Sequence, residues 1–154
     1  MILGIDPGLA NTGWAIIDKG KLVKCGCIVT DKNDKRGDRL GFIFDNLQKI
    51  VKKFGVKEIA FENLFFAKNV KSAMKVAEAI GVIKILGYLE KKEVFEYTPL
   101  QVKSTLVGYG KAEKSQVEMM VRNELGLEEN ITPSHAADAV AVALTHLFIK
   151  RDIV

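Results

Sequence analysis

Cysteine, histidine, proline and tryptophan are all scarce: two, two, three and one among 154 residues. Cys25 and Cys27 stand two apart in a strand-like run, so both face one side of a sheet. No cysteine or histidine spacing suits zinc, and reduced structural thiols are the expectation. The chain has no run of about eighteen apolar residues, which excludes a transmembrane helix. It has no basic region before an apolar stretch and no small-residue cleavage site, so no signal peptide is expected. It lacks internal repeats, low-complexity segments and linkers. One domain over residues 1–154, with no membrane contact and a cytoplasmic location, is the reading. Arginine is rare as well: 4 against 19 lysines, for a net charge of +4. That excess permits a nucleic-acid partner without establishing one.

The chain is organised around its first seventeen residues. Ile2, Leu3 and Ile5 form an apolar run that breaks at Pro7-Gly8, and Trp14–Ile17 forms a second. Two such runs with Pro, Gly and Asn between them read as a hairpin with a wide loop. The first run has no polar alternation, as in a central strand covered on both faces. Asp6 sits where that buried strand stops. An ionised carboxylate there is costly unless donors or a cation satisfy it. Either an Asx-turn before Pro7-Gly8 or a metal ion would do so.

Lys21–Thr30 reads as a third strand. From Arg39 the period changes: Leu40, Ile43, Phe44, Leu47, Ile50, Val51 and Phe54 form one helical stripe, with Gly55 in the place of a C′ glycine. Residues 56–62 read as a strand ending in Glu62, and residues 63–69 as a loop. Residues 70–92 carry the longest helical pattern. Its stretch Ile80–Leu89 is apolar nearly all round, so it needs cover on two sides: the sheet, and a second subunit. A short strand, Val94–Tyr97, precedes Thr98-Pro99-Leu100-Gln101, which has an N-cap, a proline at N1 and a glutamine at N3. Helices over 111–125 and 135–150 complete the chain. Interleaved strands and helices make the class α/β, with a mixed five-stranded sheet flanked by helices.

Asp6 ends the first strand, Glu62 ends the fourth, and Asp138 lies in the first turns of the last helix. His135 precedes Asp138 by three and shares its face. Each has an ordinary explanation: a turn, an edge charge, a dipole-favoured acid, a surface histidine. Neighbouring parallel strands would set Asp6 beside Glu62, and a helix packed on the sheet could deliver Asp138 and His135 to the same point. Clustered carboxylates repel unless cations join them. Hard oxygens suit Mg²⁺ or Mn²⁺, and two ions about 3.5–4 Å apart can activate a water and stabilise the leaving oxygen of a phosphodiester.

At this point the motifs carry a resemblance. Ile2–Gly8 with Thr12-Gly13, Phe61–Asn69, Tyr97–Lys103, Gly110–Val117 and Ala136–His146 resemble, in order, the RuvC family of Holliday-junction resolvases. The resemblance implies an RNase H-like fold and a homodimeric, Mg²⁺-dependent endonuclease that nicks two like strands of a four-way DNA junction. It makes Asp6, Glu62 and Asp138 metal ligands. At the fourth position, where some members carry Asp, this chain has His135, which leaves ligand, base and phosphate-contact roles open and the choice between Mg²⁺ and Mn²⁺ with them.

Lys103 and Lys114 look like the family's phosphate-binding lysines, and Lys68, Lys71 and Lys111 are candidates to extend that surface. Phe65 matches the aromatic that stacks on a base near the exchange point, and Phe66 stands beside it. Such stacking would offset about 1–3 kcal/mol of unpairing per base. The resemblance also suggests a branch-migration complex of the RuvA and RuvB type as partner. The rival readings are an RNase H-like nuclease acting on RNA, a sugar-kinase-type ATP-binding module and a non-catalytic junction-binding protein.

Overall fold

The structure, a computed structural model, describes residues 1–63 and 70–152. Five strands, β1 (Ile2–Asp6), β2 (Asn11–Asp18), β3 (Lys21–Val29), β4 (Glu58–Glu62) and β5 (Glu93–Tyr97), form one sheet in the order β3-β2-β1-β4-β5. The first three strands are antiparallel neighbours, and β1·β4 and β4·β5 are parallel. β2 turns into β3 through Lys19 and Gly20, both at positive φ, as a two-residue hairpin turn requires. The helices are α1 (Arg36–Phe54), α2 (Val70–Leu89), α3 (Pro99–Val107), α4 (Lys114–Leu125) and α5 (Ser134–Asp152).

The sheet separates two cores. Leu3, Ile5, Ile16, Ile59 and Phe61 meet Ile43, Leu47 and Val51 of α1 and Ile83 and Leu86 of α2 on one face. Ile2, Ala15, Ile17 and Ala60 meet α5, with α3 and α4 packed behind it, on the other. Every residue of β1 is buried, as expected of a central strand.

α5 lies unusually close to the sheet, and two glycines allow it. A β-carbon at Gly13 would overlap the carbonyl oxygen of His135, and one at Gly4 the carbonyl oxygen of Ala139. Alanines at 136, 139 and 143, all fully buried, keep the helix side of that contact thin. The first turns of α5 are thereby pressed onto the ends of β1 and β2.

Two helix starts differ from the sequence expectation by three residues, and the last helix starts one residue early, at Ser134. α1 begins at Arg36, three residues early, because its N-cap position is Lys35, whose side chain makes no capping bond to mark the start. α4 begins at Lys114, so Lys111 falls in the α3–α4 turn. Here the Gln116 side chain accepts from the Glu113 backbone N–H at 2.8 Å, a helix start without Ser, Thr or Asn. α3 starts as read: Thr98 Oγ1 accepts from Gln101 N–H, and Gln101 Oε1 accepts from Thr98 N–H. Among the described residues no helix is long and apolar enough to cross a membrane.

Candidate metal centre

Strand register sets the first two carboxylates. β1 and β4 pair from Ile2↔Glu58 to Ile5↔Phe61, and the same step carries Asp6 to the level of Glu62. Side chains alternate along a strand, so Glu58, Ala60 and Glu62 share the face that meets α5, as do Ile2, Gly4 and Asp6. Asp6 also faces Gly13 across β2, and it is over Gly13 that α5 lays His135. The loop after Asp6 is pinned from inside. Thr12 donates to the Gly8 carbonyl and Thr30 to the Leu9 carbonyl, each at 2.6 Å, and Arg39 Nε donates to Thr30 Oγ1 at 2.9 Å.

The Asp6 carboxylate turns to the helix: its Oδ2 lies 2.7 Å from His135 Nδ1. Donor atoms of Asp6, His135 and Asp138 all lie within 4.8 Å of one another. Glu62 stands outside that trio but close enough for the charges of Asp6 and Asp138 to act on it. Lys114 Nζ donates to Asp138 Oδ2 at 2.8 Å. Behind this pair a cavity of about 230 Å³ is lined by Glu62, Lys103, Lys114 and Asp138 and floored by Val102 and Ala141.

Burial and mutual repulsion act on the carboxyls of this cluster. Burial raises the Asp6 carboxyl above its ordinary range, against the lowering effect of the His135 hydrogen bond, and the Asp138 charge raises it further. Glu62 is pushed up to about 7, chiefly by burial and then by Asp6 and Asp138, while Lys114 and Lys103 pull the other way. A buried Asp6 and a half-buried Glu62, both driven toward protonation, beside a third carboxylate and an imidazole form a donor set that fits a divalent cation. Burial disfavours the Lys114 ammonium, but its hydrogen bond to Asp138 and the charge of that carboxylate together hold its pKa above the ordinary lysine range.

The remaining predicted residues divide. Lys103 lines the cavity. Lys71 is exposed in the first turn of α2 and Lys111 in the α3–α4 turn, and neither lines it. Phe65, Phe66 and Lys68 lie outside the described residues, as does most of the loop that carries them. Cys25 and Cys27 are free thiols and face one side of the sheet, paired across β2 with Ala15 and Gly13.

α5 carries a further buried polar group that the sequence motifs did not single out. His146 is 2% exposed, bonded to Tyr97 and Glu58, and sits eleven residues after His135. A polar residue on the buried stripe of an apolar helix was the available signal.

The family model described as crossover junction endodeoxyribonuclease RuvC matches residues 2–146. A protein of that description from Finegoldia magna is 47% identical over 152 residues, covering 96% of this chain and 92% of its own length. One from Fusobacterium nucleatum is 43% identical over 150 residues, covering 95% and 79%. Among solved structures, Thermus thermophilus RuvC superposes with a TM-score of 0.90 at 35% identity, covering 98% of this chain and 95% of that one. The same protein in complex with a Holliday junction substrate gives 0.91 at 35% identity, covering 98% and 94%. The yeast mitochondrial Holliday junction resolvase Ydc2, at 15% identity and a TM-score of 0.69, shares the fold.

A mixed sheet of this order, crossed by a helix that closes an acidic cluster, defines an RNase H-like nuclease. Within that class the chain belongs to the RuvC family of crossover junction endodeoxyribonucleases.

Proposed function

We propose that the chain resolves four-way DNA junctions by divalent-metal-dependent nicking of two like strands, with Asp6, Glu62, His135 and Asp138 as the catalytic set. The observation that carries this reading is the trio of donor atoms within 4.8 Å, set beside Glu62 and flanked by Lys114 and Lys103. The three carboxylates would hold Mg²⁺, with Mn²⁺ as the alternative, as two ions per site. Bound there, such ions supply a nucleophilic water at neutral pH and charge compensation at the leaving oxygen.

The side chains do the rest. Facing a carboxylate, His135 Nδ1 carries the proton and donates to Asp6, which leaves Nε2 as a lone pair for a cation or a water proton. Lys114 neutralises Asp138 in the protein alone. Once that carboxylate is engaged with a cation, its ammonium is available to a DNA phosphate, and Lys103 offers a second one across the cavity. Phe65 and Phe66 are proposed to stack on bases at the exchange point, with Lys68, Lys71 and Lys111 extending the phosphate track.

A single nuclease domain that pairs with a second copy would present two such sites to a junction of near two-fold symmetry. Ile85, Tyr88 and Leu89 of α2 are 56, 80 and 54% exposed, and an apolar surface of that kind supports the assembly. A cytoplasmic branch-migration complex of the RuvA and RuvB type is the proposed further partner. Side-by-side incubation with a mobile four-way junction and with single-stranded RNA tests the substrate class. Paired nicks in the junction and intact RNA are expected, and preferential RNA cleavage would overturn the proposal.

A further inference from the structure

We infer that His146, remote from the acidic cluster, is a positioning residue. Through Tyr97 and Glu58 it fixes where α5 stands along the sheet, and so holds His135 and Asp138 at the right level over Asp6 and Glu62. The inference rests on the metal-site reading above.

The face of α5 that meets the sheet is made of Ala136, Ala139, Val142 and Ala143, all nearly or fully buried. Contacts between small apolar groups are not directional. They hold the helix against the sheet and say little about its position along its own axis. A slip of one residue moves every side chain by about 1.5 Å and turns it by about 100°, enough to take Asp138 out of the trio.

His146 supplies the missing direction. Eleven residues are about three helical turns, so His146 lies on the same stripe as His135, at the far end of the sheet contact. Its two ring nitrogens have different partners: Nδ1 is 2.7 Å from Tyr97 Oη, and Nε2 is 3.2 Å from Glu58 Oε2. One neutral tautomer satisfies both. The tyrosine hydroxyl donates to Nδ1, and Nε2–H donates to the carboxylate. Phe95 closes one side, its ring centroid 4.4 Å from that of the imidazole. Lys150, one turn on, also bonds to Glu58.

The partners stand on the strands that set Glu62. Tyr97 pairs with Glu62 in the β4–β5 register, and its carbonyl accepts from Asn63 N–H at 2.8 Å. Glu58 lies four residues before Glu62 on the same face of β4. The His135–Asp6 pair ties α5 to β1, while the His146 bonds tie it to β4 and β5. The carboxylates of two strands and one helix are thus brought to a common level by two histidines of a single helix.

The test uses the full chain with His146→Ala, His146→Gln and Tyr97→Phe. Mn²⁺ binding is measured by calorimetry without DNA, junction binding by gel shift without divalent metal, and cleavage at saturating junction. His146→Ala is expected to weaken Mn²⁺ binding about tenfold and to lower kcat about a hundredfold, with junction affinity within about twofold of the parent. His146→Gln, whose amide can accept from Tyr97 and donate to Glu58, should recover most of both losses. A folded His146→Ala protein with parental Mn²⁺ affinity and kcat and only a lower Tm would overturn the inference. If that variant does not fold, Tyr97→Phe decides, since it removes one hydroxyl: loss of Mn²⁺ affinity supports the inference, and parental affinity overturns it. A parent chain that neither binds Mn²⁺ nor cuts the junction would instead refute the metal-site reading, a failure visible without any variant.

Discussion

Nδ1 of His135 lies 2.7 Å from Oδ2 of Asp6, across 129 residues of chain. The contact exists because Gly13 lets the first turn of α5 descend onto the sheet. It joins the end of the first strand to the start of the last helix, and Asp138 comes with it. His135 is therefore expected to matter with either metal. His135→Ala should cut the junction about a hundredfold or more slowly in both Mg²⁺ and Mn²⁺. His135→Asp adds a hard oxygen ligand and should stay active, with a relative gain in Mg²⁺. Cleavage rates of the three proteins in each metal check this, and an alanine variant as fast as the parent would make His135 a bystander.

Glu62 yields a pH prediction for the metal-free protein. Its ordinary value of 4.5 applies to the unfolded chain, and in the fold it is pushed up to about 7. Between these values the folded chain keeps a proton that the unfolded chain has released. Stability contributed at this site is therefore lost as pH rises from 4.5 to about 7. Glu62→Gln removes that loss. Chemical denaturation without metal should find the variant level with the parent near pH 4.5 and about 1–3 kcal/mol more stable near pH 8. A gap that does not change with pH would show that Glu62 carries no such penalty.

Lys114 and Lys103 are expected to contact phosphates. Alanine at either should weaken binding to every junction sequence alike and flatten the slope of log K against log salt by about one. Gel-shift titrations over a range of salt measure this. An unchanged slope would leave Lys114 as a counter-ion to Asp138 and nothing more.

Exposed Ile85, Tyr88 and Leu89 on α2 are expected to be covered by a second copy. Ile85→Glu would then bury an unpaired charge in the interface and shift sedimentation from dimer to monomer without unfolding the chain. A parent and a variant that sediment alike would place any interface elsewhere.

Much of this architecture was legible because it obeys local rules. Asp6 and Glu62 each end an apolar run, and His135 and Asp138 share a helix face by spacing alone. Thr98, Pro99 and Gln101 announced their helix. What was hidden depends on chain-distant partners or on weak local signals. Lys35 makes no cap, so the start of α1 carried no mark. Glu113 holds an N-cap position where Ser, Thr, Asp or Asn is usual, so that start carried only the glutamine at N3 as a mark. His146 draws its meaning from Tyr97, 49 residues away, and Glu58, 88 away, and no periodicity reports such pairings. The need for glycine at positions 4 and 13 is set by the backbone of α5, which only the fold brings near.

Asp6, Glu62 and Asp138 are proposed to form a cation site at which junction DNA is cut. This is tested most directly by nicking of one synthetic mobile four-way junction, with gel-shift binding measured on the same preparations. The parent should make paired nicks in Mg²⁺ or Mn²⁺ and none in chelator. Asp6→Asn, Glu62→Gln and Asp138→Asn should each bind the junction and cut it about a thousandfold or more slowly. Cleavage by the parent in chelator would rule out a cation site, and cleavage by any one of the three variants at the parental rate would remove that residue from it.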